Sequence, residues 1–176
     1  GVRRDVEKLA LCSYFAEVAE AVAEEGRPDQ ALLSLLLNSI YALDRLNKPP
    51  ALVKAAFELR LLCVAGYEPL LDVCALCGEE APAQPRLDLG EGVLCCAACG
   101  ERGSASRPLD AVSLAAMRHV VYGDPKRLFS FSMNGESMAL MARACEDFLL
   151  TQLDRGFRTL DFYKQLDMGE KGRWPS

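Results

Sequence analysis

The placement of cysteines constrains this chain more than any other feature. Five of its eight cysteines fall between positions 74 and 99, in a sequence of 176 residues. Four of the five form two Cys-x2-Cys pairs, Cys74 with Cys77 and Cys96 with Cys99, which are separated by 18 residues. Two such pairs can bring four thiolates to one tetrahedral ion, with Zn–S bonds of about 2.3 Å. Because four thiolates leave no ligand position open, the spacing predicts one structural zinc ion.

Cys95 makes the second pair ambiguous, because Cys95-x3-Cys99 is also a possible spacing. The regular x2 spacing favours Cys96 as the third ligand and makes Cys95 a neighbouring thiol. Iron in the same shell is an alternative, and so is a thioredoxin-type redox pair, although its βαβ context is missing. The other three cysteines fall on apolar faces of predicted helices and are expected in the core: Cys12, Cys63 and Cys145.

The rest of the composition argues against a secreted disulfide scaffold. Hydrophobic residues make up 51% of the chain, which is enough for a core without covalent cross-links. The first residues are charged and helix-like rather than signal-peptide-like, so we expect a reducing, cytoplasmic compartment. No apolar stretch reaches the roughly 18 residues that a membrane span needs.

Apolar residues recur at helical spacing on both sides of the cysteine-rich segment. Residues 1–69 predict three helices, and the second, over residues 29–46, is so rich in leucine that we expect it to be central. Residues 108–166 predict a second helical part, with helices over 109–121, 136–153 and 160–166. Residues 167–176 show no pattern and are predicted to be a disordered tail.

Between the two helical parts, residues 70–107 are dense in Pro, Gly and Cys. Leu87-Asp88-Leu89 alternates in polarity and is followed by Gly90-Glu91-Gly92, which predicts a β-hairpin with a tight turn. The fold class predicted from these patterns is mainly α: a helical bundle with an inserted four-cysteine module of the zinc-ribbon type.

Catalytic patterns are absent from the sequence. The single histidine, His119, has no ligand partner four residues on and no adjacent Glu, which excludes a zincin or zinc deaminase. The chain contains no G-x-S-x-G, P-loop or dinucleotide fingerprint. We therefore expect a protein that is not an enzyme.

The segment that leads into the first cysteine pair resembles a known family. A helix that ends in a Leu pair, at residues 57–62, is followed by Gly-Tyr-x-Pro at 66–69 and by Cys-x2-Cys-Gly at 74–78. This order resembles the C-terminal region of the bacterial recombination mediator family RecO. Gly92-Val93-Leu94 and the segment 147–162 are similar to the same family, so that the resemblance covers about residues 3–166.

The resemblance implies a DNA repair and homologous recombination mediator of the RecFOR pathway, which is cytoplasmic and nucleoid-associated. It implies binding to single- and double-stranded DNA, to RecR and to the single-stranded-DNA-binding protein, with strand annealing and RecA loading as the outcome. Family members begin with an OB-fold barrel, the main DNA surface, and this sequence has no strand-like alternation ahead of its first helix. We therefore expect a C-terminal fragment. The cysteine doublet and Thr159, where many relatives have Ser, depart from the family pattern.

A net charge of −5 gives no bulk electrostatic indication of nucleic-acid binding. One local enrichment of basic residues provides the candidate phosphate contacts: Arg155, Arg158 and Lys164, with Lys126 and Arg127. Ordinary solvated helix charges are the alternative interpretation. The cysteine-rich segment is net acidic, which favours a structural role or a surface for RecR. A zinc-ribbon adaptor that binds only proteins, without DNA, is the alternative function.

Overall fold

Helical periodicity dominates the structure as it dominates the sequence. A computed structural model describes residues 2–27, 29–99, 105–133 and 135–171. In chain order its helices are α1 (Val2–Val22), α2 (Gln30–Arg45), α3 (Pro50–Val64), α4 (Ala111–Tyr122), α5 (Gly135–Leu153) and α6 (Arg158–Lys171). Three short strands form one small sheet, so the mainly α fold class is confirmed. None of these helices is long and apolar enough to cross a membrane.

The chain divides into two compact units, one of residues 1–50 and 155–176 and one of residues 51–154. This division differs from the three segments that composition separates, whose boundaries at 69/70 and 107/108 stay a prediction. Helix α6 continues to Lys171, five residues past the predicted end at Leu166, because no proline interrupts it. Residues 172–176 of the predicted tail lie outside the described residues.

The first unit is built from α1, α2 and α6. Helix α1 buries one stripe of side chains at helical spacing: Ala10, Leu11, Tyr14, Phe15, Val18 and Ala19. The ring of Tyr14 meets that of Phe157 edge-on at 6.0 Å between centroids. Asp29 caps α2 by accepting hydrogen bonds from the backbone N–H groups of Ala31 and Leu32, as an N-cap carboxylate does.

The expectation that α2 is central was wrong. One side of the helix is buried, at Leu32, Leu35 and Leu43, but Leu33, Leu37 and Tyr41 are each more than half exposed. A helix so rich in leucine cannot place every leucine on one side, and leucine is also a strong helix former where it is not buried. The high leucine content of α2 therefore led us to expect more burial than the helix has.

The helix that is nearly all buried is α3, in the second unit. Its residues from Leu52 to Leu59 are all buried, including Lys54 and Glu58. The ammonium of Lys54 lies 2.7 Å from a carboxylate oxygen of Glu58 and 2.7 Å from one of Glu146 on α5. Because each buried charge has an opposite partner, charged residues can stand at core positions of α3.

The sheet also belongs to the second unit. Its strands are β1 (Pro85–Asp88), β2 (Val93–Cys96) and β3 (Ser106–Pro108), all antiparallel, in the order β2-β1-β3. The predicted hairpin is β1 and β2, and it is confirmed. Strand β3 was not predicted, because its three residues are too few to show an alternation. Leu70 adds an isolated parallel bridge to Val93 on the free edge of β2.

Candidate metal centre

Four cysteine sulfurs converge in the second unit. Cys74 and Cys77 lie in the loop before β1, Cys96 ends β2, and Cys99 ends the 3-10 turn Ala97–Cys99. Their Sγ atoms all lie within 4.8 Å of one another. The separations are 3.9 Å for Cys74–Cys99, 3.8 Å for Cys77–Cys96 and 3.3 Å for Cys96–Cys99. No other metal-type group of His, Cys, Asp and Glu occurs among the described residues.

These separations fit a tetrahedral four-thiolate site. Four sulfurs at about 2.3 Å from one central ion stand about 3.8 Å apart along each edge of the tetrahedron. Two of the three separations match this value within about 0.1 Å, and the third is shorter. Disulfide formation does not account for the group, since an S–S bond is only about 2.05 Å long. The donor set therefore suits one soft divalent ion with no open ligand position.

The first cysteine pair lies in a tight turn over residues 74–79, which we call the knuckle. The N–H of Gly78 donates to the carbonyl of Cys74 at 2.9 Å, and the N–H of Cys74 donates to the carbonyl of Glu79 at 2.8 Å. Gly78 adopts φ +75°, which only glycine takes readily, and this closes the loop. The N–H of Ala75 donates to the carbonyl of Leu94, which fixes the knuckle to β2.

Strand register selects Cys96 over Cys95. In β1 and β2, Pro85 pairs with Cys96 and Arg86 with Cys95, so the two cysteines point to opposite faces of the sheet. Cys96 shares its face with Leu94, which is fully buried, and with the other three sulfurs. Cys95 is half-buried on the other face, outside the cluster.

Backbone donors surround the sulfur of Cys74. Burial acts to raise the pKa of this thiol, but N–H groups of Cys77, Leu76 and Cys96 direct hydrogen bonds at the sulfur and bring the pKa down to about 6. Hydrogen bonds to a thiolate stabilise the charged form, which is the form that binds a metal. The knuckle thus favours the ligand state of Cys74.

Helix α4 holds the first knuckle through Arg118. Its guanidinium donates to the carbonyl oxygens of Leu71 at 2.8 Å, Asp72 at 2.8 Å and Glu80 at 2.7 Å. The hydroxyl of Tyr122, one turn further on, accepts a hydrogen bond from the N–H of Leu71 at 2.8 Å. These bonds clamp the chain on both sides of Cys74 and Cys77.

Helix α5 holds the other end of the hairpin. The side-chain amide of Gln152 donates to the carbonyls of Leu89 at 2.7 Å and Gly90 at 2.9 Å. Gly92 packs against Phe148 so closely that a Cβ atom would lie 3.1 Å from the ring atom Cζ. Gly92 also has φ +65°, so both its conformation and its neighbour require glycine.

Sequence reasoning identified the four sulfurs but not the residues that support them. Arg118, Tyr122 and Gln152 contact residues that lie 38 to 63 positions away from them along the chain, and no local pattern links them to the cysteines. The lone histidine, His119, lies outside the cluster, with its Nε2 atom 3.0 Å from the carbonyl oxygen of Arg127.

The three cysteines that lie on helices α1, α3 and α5 are not activated as nucleophiles. Cys145 is buried, and burial raises the pKa of its thiol well above the ordinary value. Cys63 is half-buried, and burial followed by the charge of Glu68 raises its pKa to about 12. Cys12 is also half-buried, with a pKa that burial raises. All three are therefore thiols rather than thiolates near neutral pH.

The candidate DNA-contact residues are divided between the two units. Arg155, Arg158 and Lys164 belong to the first unit, and Lys126 and Arg127, on the 3-10 turn Pro125–Arg127, belong to the second. All five side chains are exposed. The guanidinium of Arg155 lies 5.0 Å above the ring of Phe157. Each unit thus carries its own exposed basic residues.

The fold and the site together define a mainly helical protein that carries a four-cysteine module of the zinc-ribbon type. The sequence model of the family "Recombination protein O C terminal" matches residues 3–161, and the chain belongs to this family.

Individual relatives agree with the family match. The DNA repair protein RecO of Acetivibrio thermocellus is 26% identical over 166 residues, which cover 94% of this chain and 66% of the relative. That of Symbiobacterium thermophilum is 29% identical over 168 residues, with the same two coverages. That of Anaeromyxobacter sp. strain K is 38% identical over 117 residues, 66% of this chain and 46% of the relative. The chain thus spans about two thirds of the length of the first two relatives.

Proposed function

We propose that this chain acts in DNA repair as a RecO-type mediator of homologous recombination. The observation that carries the proposal is the family match over residues 3–161, supported by relatives that are named DNA repair proteins. The mediator binds single- and double-stranded DNA, RecR and the single-stranded-DNA-binding protein in the cytoplasm, associated with the nucleoid. It promotes strand annealing and RecA loading in the RecFOR pathway, and it catalyses no reaction of its own.

The four-cysteine site holds one structural zinc ion in this proposal. Cys74, Cys77, Cys96 and Cys99 are the ligands, and the sulfur separations support that assignment. The zinc ion is structural rather than catalytic, because four protein ligands leave no position for water or substrate. The short sheet has few apolar side chains to offset its ordering entropy, which is why it needs the ion.

Exposed basic residues provide the chain's own DNA contacts. Arg155 and Arg158 lie where the chain enters α6, and both side chains are exposed to solvent, so that phosphates can reach them. Lys164, Lys126 and Arg127 complete the proposed set. Each phosphate that a basic side chain neutralises releases condensed counterions, which makes binding depend on salt.

The test is the salt dependence of binding to a labelled single-stranded oligonucleotide. Replacing both Arg155 and Arg158 with Ala should lower the slope of log K against log salt by about 0.7 for each lost contact. Arg45→Ala is the matched control, because Arg45 is an exposed arginine of the same unit. An unchanged slope in the double variant would remove these two residues from the DNA surface.

The alternative is an adaptor that binds proteins but not DNA. The acidic cysteine-rich segment favours it, since that segment offers phosphates no attraction. A chain that binds RecR yet shows no salt-dependent binding to either form of DNA would establish the adaptor. Binding of the single-stranded-DNA-binding protein is tested separately with a peptide of its acidic, Phe-ended tail.

A further inference from the structure

Large apolar side chains are exposed around the first cysteine knuckle. Leu70 is 62% exposed, and Leu76 and Tyr122 are each 43% exposed. Four acidic side chains accompany them along the same loop. We call this surface the knuckle face, and it consists of Leu70, Val73, Leu76, Tyr122, Glu68, Asp72, Glu79 and Glu80. Exposed apolar residues are ordinary when scattered, but a group rimmed by charge marks an interaction surface.

Contacts within the second unit bring the members of the knuckle face together. One guanidinium nitrogen of Arg118 donates to the carbonyls of both Asp72 and Glu80, so the two ends of the loop lie side by side. The hydroxyl oxygen of Tyr122 lies 2.8 Å from the backbone nitrogen of Leu71 and 3.4 Å from the carbonyl oxygen of Pro69, so Tyr122 stands beside the segment that begins the loop. Leu71 is fully buried, so its neighbours Leu70 and Asp72 point outward.

The knuckle face is held rigid before any partner arrives. The Leu70 backbone donates to the carbonyl of Gly92 at 2.8 Å and accepts from the N–H of Leu94 at 2.9 Å. Arg118 and Tyr122 fix the same segment from α4. A preformed surface loses little conformational entropy on binding, which favours affinity.

The charge of the knuckle face decides what can bind there. Between Arg60 and Arg86 the sequence contains four acidic residues and no Lys or Arg. With a divalent metal ion bound, the four thiolates carry more negative charge than the ion carries positive charge. The site therefore adds to the negative charge of this surface. Such a surface repels the phosphates of nucleic acid, and it also repels a second copy of itself.

We propose that the knuckle face docks a protein segment that presents Lys or Arg beside apolar side chains. Leu70, Val73 and Leu76 receive the apolar side chains, while Glu68 and Glu80 face the basic ones at the rim. Apolar anchors supply most of the affinity in such an interface, and complementary charge supplies association rate and specificity. The inference rests on the proposed function, because RecR is the partner against which it is tested.

The experiment measures binding of the zinc-loaded chain to purified RecR from the same genome, by titration calorimetry, and to a labelled single-stranded oligonucleotide in parallel. Leu70→Ser and Leu76→Ser remove apolar area, and the pair Glu68→Lys with Glu80→Lys reverses rim charge. All four side chains are exposed, so the fold should persist; circular dichroism and zinc content verify this. Leu37→Ser on α2 is the matched control, since Leu37 is 57% exposed in the other unit.

The proposal expects each knuckle variant to bind RecR at least tenfold more weakly, with the affinity for DNA unchanged in the two Ser variants and Leu37→Ser behaving as the parent chain. Variants that bind RecR within twofold of the parent chain overturn it while leaving the proposed function intact. A parent chain that binds DNA but not RecR overturns it and also removes RecR from the proposed function. Sedimentation that shows a dimer broken by the knuckle variants overturns it in favour of a second copy.

Discussion

Cys95 and Cys96 are consecutive residues of β2 whose side chains lie on opposite faces of the sheet. Cys96 pairs with Pro85 and joins the sulfur cluster, whereas Cys95 pairs with Arg86 and stays outside it. Successive side chains of a strand point to opposite faces of the sheet. A slip of the strand pairing by one residue would therefore exchange the positions of the two thiols. The hairpin register therefore determines which member of the doublet joins the four-sulfur cluster.

The doublet provides a matched pair of substitutions. Cys96→Ser should lose the bound zinc, because three thiolates and a hydroxyl make a much weaker shell, while Cys95→Ser should keep one zinc per chain. Plasma mass spectrometry of the purified proteins and a colorimetric release assay measure both. Zinc loss in Cys95→Ser with retention in Cys96→Ser would show that the strand pairs in the other register.

Removal of the metal should unfold the cysteine-rich segment and spare the helices. Structural zinc contributes about 10–16 kcal/mol to small metal-dependent folds at neutral pH, which is far more than this short sheet can replace. We expect amide protons of residues 70–99 to exchange rapidly after chelation, while those of α1, α3 and α5 stay protected. Hydrogen exchange with mass spectrometry measures this, and full protection of residues 70–99 without zinc contradicts it.

Arg118 should matter to the metal site although its guanidinium is bonded to carbonyls rather than to sulfur. Arg118→Lys keeps the charge but loses the fork that reaches three carbonyls at once, so that fewer hydrogen bonds hold the loop around the first cysteine pair. Zinc affinity should fall about 10–100-fold, as it does when the residues that orient metal ligands are changed. Competition with a chelator measures the affinity.

Arg143→Ala is the control for Arg118, because Arg143 is 76% exposed and lies 3.8 Å from Asp147, away from the cysteine loop. Equal zinc affinities for Arg118→Lys and Arg143→Ala would show that the hydrogen bonds of Arg118 to the loop do not affect metal binding.

Gly92 tests the packing of the hairpin against α5. Gly92→Ala should lower the free energy of unfolding by about 1–3 kcal/mol more than Gly66→Ala, because only the first places a Cβ atom against Phe148. Gly66 also has a positive φ, but a Cβ atom there would meet nothing within 4 Å, so it controls for backbone strain alone. Urea denaturation measures both variants. A smaller loss in Gly92→Ala than in Gly66→Ala would show that the ring of Phe148 moves aside freely.

Features that depend on neighbouring residues could be predicted from the sequence. The spacing of the cysteine pairs, the Gly90-Glu91-Gly92 turn and the helix start at Asp29 are local patterns, and the structure contains all three elements. Local geometry alone decides such features, because a thiolate pair, a tight turn and an N-cap each need only a few consecutive residues.

Features that depend on tertiary packing could not be predicted. Lys54 and Glu58 look like a solvated helix pair, yet both are buried because Glu146, 92 positions from Lys54, completes the charge balance. In the same way, the leucines of α2 do not say which of its sides meets another helix. The partner in each case comes from a distant segment, so that no window of the sequence contains it.

The contact between Glu17 of α1 and Thr159 of α6 makes a pH-dependent contribution to the first unit. Both the N–H and the hydroxyl of Thr159 donate to Glu17 Oε2, and these bonds, with the hydroxyl contributing most, lower the pKa of the carboxyl against a smaller opposing effect of burial. A carboxyl whose folded pKa is lowered stabilises the fold above its unfolded pKa of about 4.5, and that contribution is lost as the pH falls through the folded value.

Glu17→Gln should therefore destabilise the chain near pH 7 and should do so less near pH 3. Urea midpoints of parent and variant at both pH values measure this, and since both chains lose zinc alike in acid, their difference isolates Glu17. Glu20→Gln, on an exposed position of the same helix, is the matched control. If the urea midpoints of parent and variant differed by the same amount at pH 7 and pH 3, the packing of the Glu17 side chain alone would account for its effect. Its charge would then contribute nothing to the stability of the contact with α6.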